Sequence, residues 1–266
     1  MEAHPLRRWS FITWAGKSVL PGVVPDGIAL AFPSGMVLAL SVFTLAAIVG
    51  LAYLLCYGGF EGPVDWLMGT DSHGDRGVQR IALTFDDGPH PVHTARLLDT
   101  LAELGVPATF FVVGRDVDAN PGLVARMARD GHELGNHTYD HRYLPLARSR
   151  SVERELRATD RAIVRAAGVV PKLARPPWGG RSPRNVQVFR RLRKRLVLWD
   201  VNSFDWKGKP ASEVAARVLE RARGGSIVLM HEARDGGDTT IEAVRLLVPA
   251  LRARGFELVT VSRAIA

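Results

Sequence analysis

The chain has 266 residues, 47% of them hydrophobic, which is enough for one domain with its own core and an appendage. Its single cysteine, Cys56, excludes an intrachain disulfide and a thiolate metal cluster, so any bound metal falls to carboxylates and the eight histidines. The net charge is +8, and residues 77–266 carry 31 basic against 21 acidic side chains; no nucleic-acid-binding signature accompanies it, which leaves solvated helix faces or an anionic wall or membrane surface.

The first element in chain order is apolar. No charged residue lies between Asp26 and Glu61, and residues 36–57 (MVLALSVFTLAAIVGLAYLLCY) are almost continuously hydrophobic. At ~1.5 Å per residue such a helix spans about 33 Å, enough for the hydrocarbon core of a bilayer. Arg7, Arg8 and Lys17 precede it, while Glu61, Asp65, Asp71 and Asp75 follow with no Lys or Arg among them. The positive-inside bias then predicts a cytoplasmic N-terminus and an extracytoplasmic remainder. The run is longer than a signal-peptide core and lacks a clean A-x-A site, so an uncleaved single-pass anchor is expected. The resulting division is an N-terminal cytoplasmic segment at 1–35, a transmembrane anchor at 36–57, a linker rich in Gly and Asp at 58–77, and a globular domain at 78–266.

From residue 78 short β-prone runs alternate with helical patterns. The runs are 81–85, 108–113, 133–136, 172–174, 196–199, 226–230 and 256–261. Asn120 followed by Pro121 predicts a helix start, and Gly131 its stop. Val152, Leu156, Ile163, Val164 and Ala167 predict one apolar helix face. Thr239 with Glu242 reads as a capping box, closed by Gly255. About seven strands alternating with helices argue for a parallel sheet closed, or nearly closed, into a barrel, with its chemistry at the C-terminal ends of strands.

Five motifs fall at those ends. Thr84-Phe85-Asp86-Asp87-Gly88-Pro89 ends the first run with two carboxylates at a turn, where one can bind a cation while the other handles a proton. A plain solvated Asp-Gly-Pro turn has the same sequence. His137 and His141, spaced i and i+4, lie on one side of a helical turn, within reach of one Zn²⁺. Arg175-Pro176-Pro177-Trp178-Gly179-Gly180 offers a guanidinium able to grip a carboxylate through two hydrogen bonds, although a surface arginine reads the same way. Asp200-Val201-Asn202-Ser203-Phe204-Asp205-Trp206 and Leu229-Met230-His231 supply a histidine and acids able to raise its pKa.

In this order and at these intervals the motifs resemble the polysaccharide deacetylases of carbohydrate esterase family 4, which share the NodB homology domain; the resemblance covers about residues 78–266. It implies an α/β fold of the deformed (β/α)7-barrel type and hydrolysis of N-acetyl groups from N-acetylglucosamine-containing polysaccharide. By the resemblance, Asp87, His137 and His141 bind a divalent metal, Zn²⁺ or another transition ion such as Co²⁺. Asp86 is the general base, paired to Arg175, and His231 is the general acid, held by Asp205. Trp206 and Leu229 wall the pocket for the acetyl methyl, and the backbone N–H of Trp178 faces the oxyanion. The fourth motif departs from the family pattern, with Asn202 where the family has Asp. The expected partners are the polysaccharide and the bilayer through residues 36–57, with no nucleic acid and no obligate protein partner. An O-acetyl esterase of the acetylxylan type and an inactive glycan-binding homologue are the alternative readings.

Overall fold

A computed structural model of the chain describes residues 34–57, 68–233 and 236–266. The expected cytoplasmic segment up to residue 33 and positions 58–67 of the expected linker lie outside the described residues.

The first helix, α1 (Ser34–Tyr57), runs for 24 residues with no charged side chain. Its described side chains, 38–50, are all exposed, Phe43 by 76%. Among the described residues no helix is long and apolar enough to cross a membrane.

The rest of the chain folds around a curled parallel sheet, a half-barrel with helices outside it. The strands are β1 (Thr70–Asp71), β2 (Arg80–Asp86), β3 (Thr109–Val112), β4 (Glu133–Asn136), β5 (Leu173–Ala174), β6 (Arg195–Val197), β7 (Val201–Asn202), β8 (Ile227–His231) and β9 (Glu257–Val259). They are ordered β1-β6-β5-β4-β3-β2-β8-β7, and every pairing between them is parallel. Strand β9 pairs with the start of β2, whereas β8 runs beside β2 as far as its end, setting Asp86 opposite His231. The helices are α2 (His93–Leu104), α3 (Gly114–Ala119), α4 (Pro121–Arg129), α5 (Ser149–Ala167), α6 (Pro183–Arg191), α7 (Ala211–Arg221), α8 (Gly237–Ala253) and α9 (Val261–Ala264).

Strand alternation sends the side chains of β2 into two of the core's three clusters among the described residues. Ile81, Leu83 and Phe85 of β2 pack outward in a cluster with Leu97, Leu101, Val244 and Leu247 of the helices. Ala82 lies in a smaller cluster with Phe111, Leu173, Val197, Ile227 and Val259, all contributed by the sheet itself. Each fully buried aliphatic side chain in these layers contributes roughly 1.5–3 kcal/mol. The inner layer is tight enough to require glycine at 135, since a Cβ there would meet the Phe111 ring at 2.4 Å.

All seven expected strands form, with ends shifted by at most a few residues. Two more were not anticipated. Thr70–Asp71, inside the segment read as linker, pairs with β6, and Met68 beside it is buried, so the folded domain begins before residue 78. Val201–Asn202 pairs with β8. Two-residue strands are too short to show a period. Three local expectations need correction. Helix α8 starts at Gly237, so Thr239 is inside the helix and makes no capping box. Asn120 does occupy the cap of α4, but its side chain donates to the Asp116 carbonyl rather than capping. On α5 Val164 is exposed, and Ala162 and Thr159 take the buried face instead.

Candidate active site

The C-terminal ends of β2, β4, β5, β7 and β8 open onto a cavity of about 300 Å³ lined by Asp86, Asp87, His137, His141, Trp178, Trp199, Asn202, Trp206, Leu229 and His231. Eight of these were expected from the sequence. The other two expected residues, Arg175 and Asp205, lie directly behind the cavity wall, bonded to Asp86 and His231.

Asp86 is the last residue of β2, and Asp87 turns out of the strand with φ 73°. That left-handed turn lets two successive carboxylates face one cavity, which extended backbone would forbid. The following Gly88–Pro89 bond is cis. Asp87 Oδ1 lies 2.9 Å from His141 Nε2 and 3.3 Å from His137 Nε2. One ligand atom from each of these three residues lies within 4.8 Å of the others, a set suited to one cation. The donor chemistry fits. His137 Nδ1 lies 2.7 Å from the Arg175 carbonyl, so Nδ1 donates and the Nε2 lone pair faces Asp87. Burial works to raise the Asp87 pKa, but hydrogen bonds and charge from His137 and His141 outweigh it and hold the carboxyl well below the usual carboxylate range.

The two histidines do not share a helical turn, as their spacing suggested. They lie in the loop after β4, with Thr138 and His141 at φ 67° and 52°. Residues the sequence gave no reason to single out hold this loop. Asn136 Oδ1 accepts from the Thr138 N–H, and Glu155 on α5 accepts from the N–H groups of Tyr139 and Asp140. Among the described residues six non-glycine positions have positive φ, and five of them (Asp87, Thr138, His141, Trp178 and Phe204) lie in the loops around this cavity. Strain concentrated there is what a constrained site requires.

Arg175 is fully buried. Its Nη1 donates to Asp86 Oδ1 at 2.8 Å and to Thr84 Oγ1 at 2.7 Å, and Nη2 donates to the Leu198 carbonyl at 2.7 Å. The guanidinium lies 4.1 Å from the Phe111 ring centroid. Asp86 is thus gripped through one oxygen, while Oδ2 lies 3.8 Å from His137 Nε2. On the facing side His231 Nδ1 lies 3.0 Å from Asp205 Oδ1. Asp205 Oδ2 accepts from the His231 N–H and from Thr240 Oγ1, a partner the sequence did not flag. Burial works to lower the His231 pKa, but the hydrogen bond and charge of Asp205, with Asp86 and Asp87 behind it, leave it raised above 6.5. Asp200, although part of the fourth motif, plays no part in the cavity; it holds Arg76, Ser226 and the Ile227 N–H.

An Asp86 carboxylate and a His231 imidazole face each other beside three side chains able to hold a cation, an arrangement suited to hydrolysis. Comparisons with known proteins agree. A family profile described as Polysaccharide deacetylase matches residues 73–197. The chain is 39% identical over 183 residues to a peptidoglycan-N-acetylglucosamine deacetylase of Listeria monocytogenes, covering 69% of this chain and 38% of that one. It is 38% identical over 194 residues to a chitooligosaccharide deacetylase of Rhizobium leguminosarum bv. trifolii, covering 68% of this chain and 89% of that one. The crystal structure of the Bc1960 peptidoglycan N-acetylglucosamine deacetylase superposes with a TM-score of 0.74 at 31% identity, over 77% of this chain and 97% of that one. The chain therefore belongs to the polysaccharide deacetylase family, and its half-barrel is that family's fold. It spans well under half the length of the Listeria relative.

Proposed function

We propose that the protein is a metal-dependent N-deacetylase that releases acetate from N-acetylglucosamine units of a polysaccharide: peptidoglycan, a chitin-like oligomer or an exopolysaccharide. The observation that carries this reading is the convergence of Asp87, His137 and His141 between Asp86 on one side and His231 on the other.

A Zn²⁺ or similar ion held by those three residues supplies Lewis acidity. The chain's own groups do the rest. Asp86, oriented through Oδ1 by Arg175, takes the proton of the attacking water at Oδ2. His231, whose Nδ1 is held by Asp205, donates from Nε2 to the departing amine, and the Asp205 carboxylate favours the protonated ring. Trp206 and Leu229, on the cavity wall, are assigned to enclose the acetyl methyl, and the backbone N–H of Trp178, on the same wall, to stabilise the developing oxyanion.

The test is acetate release from an N-acetylglucosamine oligomer, with and without chelator, with acetylated xylan alongside. Release that stops on chelation and exceeds that from xylan is the expected result; release from xylan alone would make the protein an O-acetyl esterase. Asp86→Asn and His231→Ala are each expected to cut turnover a hundredfold or more with metal content unchanged, and near-normal rates would overturn these roles. The anchor belongs to the same proposal. The uncharged apolar run at residues 36–57, with basic residues before it and acidic residues after it, motivates a single-pass anchor with the catalytic domain outside the cytoplasm. The full chain is then expected to stay with membranes after an alkaline carbonate wash, and its release would remove the anchor from the reading.

A further inference from the structure

A separate groove of about 430 Å³ lies between the 142–148 loop and the start of α5. Tyr143, on its lining, is 6.2 Å from the Trp178 ring, which in turn meets the His141 ring at 4.4 Å. These ring contacts set the groove next to the cavity, although the two have no lining residue in common. Its lining carries Arg142, Arg148 and Arg154, all exposed, and Leu146, 89% exposed. The one acid lining it, Glu155, already accepts from two backbone N–H groups and reaches Arg142 only at 4.0 Å. Nearby Glu153 is paired with Arg157. Among the described residues Arg148 and Arg154 form no ion pair.

Arg148 and Arg154 are solvated and make no ion pair among the described residues, so both are available to an incoming anion, and the arginine fork matches a carboxylate in particular. An exposed leucine beside the charges suits the apolar face of a sugar ring. We propose that this groove is a subsite for carboxylate groups on the polysaccharide, binding the stretch of chain next to the acetamido sugar in the cavity. The assignment rests on the deacetylase reading for its substrate and names that substrate's class as anionic. A lipid surface fits less well, because the groove is concave and its Tyr143 ring lies 6.2 Å from the Trp178 ring of the catalytic cavity.

The test compares carboxymethyl chitin, which is acetylated and anionic, with glycol chitin, which is acetylated and neutral. Both are given to the full chain and to an Arg148→Gln/Arg154→Gln variant; both side chains are exposed and outside the catalytic set. The variant is expected to lose roughly 3- to 10-fold in kcat/KM on carboxymethyl chitin and nothing on glycol chitin, and added salt should erase the difference. Equal losses on both polymers, or none on either, would overturn the subsite. If neither polymer releases acetate the deacetylase reading fails, and direct binding decides the groove. Tighter retention of carboxymethyl chitin by the unsubstituted chain than by the variant supports it, and equal retention overturns it. If the substitutions weaken only binding to phosphatidylglycerol vesicles, the groove serves a membrane and the proposal falls.

Discussion

Glu232 follows His231 and is buried against Gly88, where a Cβ would meet its Oε1 at 1.6 Å. Burial pushes its carboxyl up to about 8, and the charges of Asp86 and Asp87 push the same way. Thr94 is close enough to oppose the shift, yet neither carboxyl oxygen has a well-angled hydrogen-bond partner, so desolvation dominates. The group is protonated in the folded protein at neutral pH and ionised in the unfolded chain, where its ordinary value is 4.5. A raised carboxyl pKa means that the folded state holds the proton more tightly. The associated stability is present below 4.5 and is lost as pH climbs toward 8. At pH 7 ionisation favours the unfolded chain by about 3 kcal/mol, against roughly 1 kcal/mol at pH 5 and about 4 kcal/mol at pH 8. Glu232→Gln keeps the shape and cannot ionise, so its stability relative to the unsubstituted chain should climb by roughly 3 kcal/mol between pH 5 and pH 8. Urea unfolding of the metal-free protein at both pH values measures this, and the difference between the two matters more than either offset. A gap that stays constant with pH would refute the reasoning.

Three further outcomes are expected. Asp205→Asn removes the carboxylate that raises the His231 pKa, so the alkaline limb of the rate profile should move to lower pH; a uniform loss at pH 6 and pH 8 would assign Asp205 a purely structural role. His137→Ala should abolish stoichiometric metal binding, read by elemental analysis after dialysis, because it removes one of three ligands; full occupancy would place the cation elsewhere. Gly135→Ala should cost about 1–3 kcal/mol by forcing a methyl into the Phe111 ring. It should also lower turnover, since Phe111 packs against the Arg175 guanidinium, and adding Phe111→Leu should return much of the stability.

Legibility tracked the range of the interaction. Asp86 and Asp87 could be read as a pair because a turn places neighbours together, and the i, i+4 histidines because they too are close in the chain. Even so, the helical geometry inferred for them was wrong. The loop's path is set by Asn136 and by Glu155, the latter on a helix 14 residues beyond His141. Thr240 could not be read as the support of Asp205 at all, since 35 residues separate them and only the packing of α8 brings them together. The arginine groove was equally invisible: thirty arginines in a sequence look alike until the fold decides which are paired and which face one hollow.

By itself the sequence determined the strand–helix alternation, the apolar N-terminal helix and most of the residues that line the cavity. Hydrophobic periodicity and motif order are local properties that the chain carries whatever its shape. The tertiary structure decided what depends on separate segments meeting. It set the pairing of Arg175 with Asp86 across 89 residues, the inclusion of Thr70–Asp71 in the sheet, and the burial that raises Glu232. Those are consequences of desolvation and distance, and neither exists until the sheet curls.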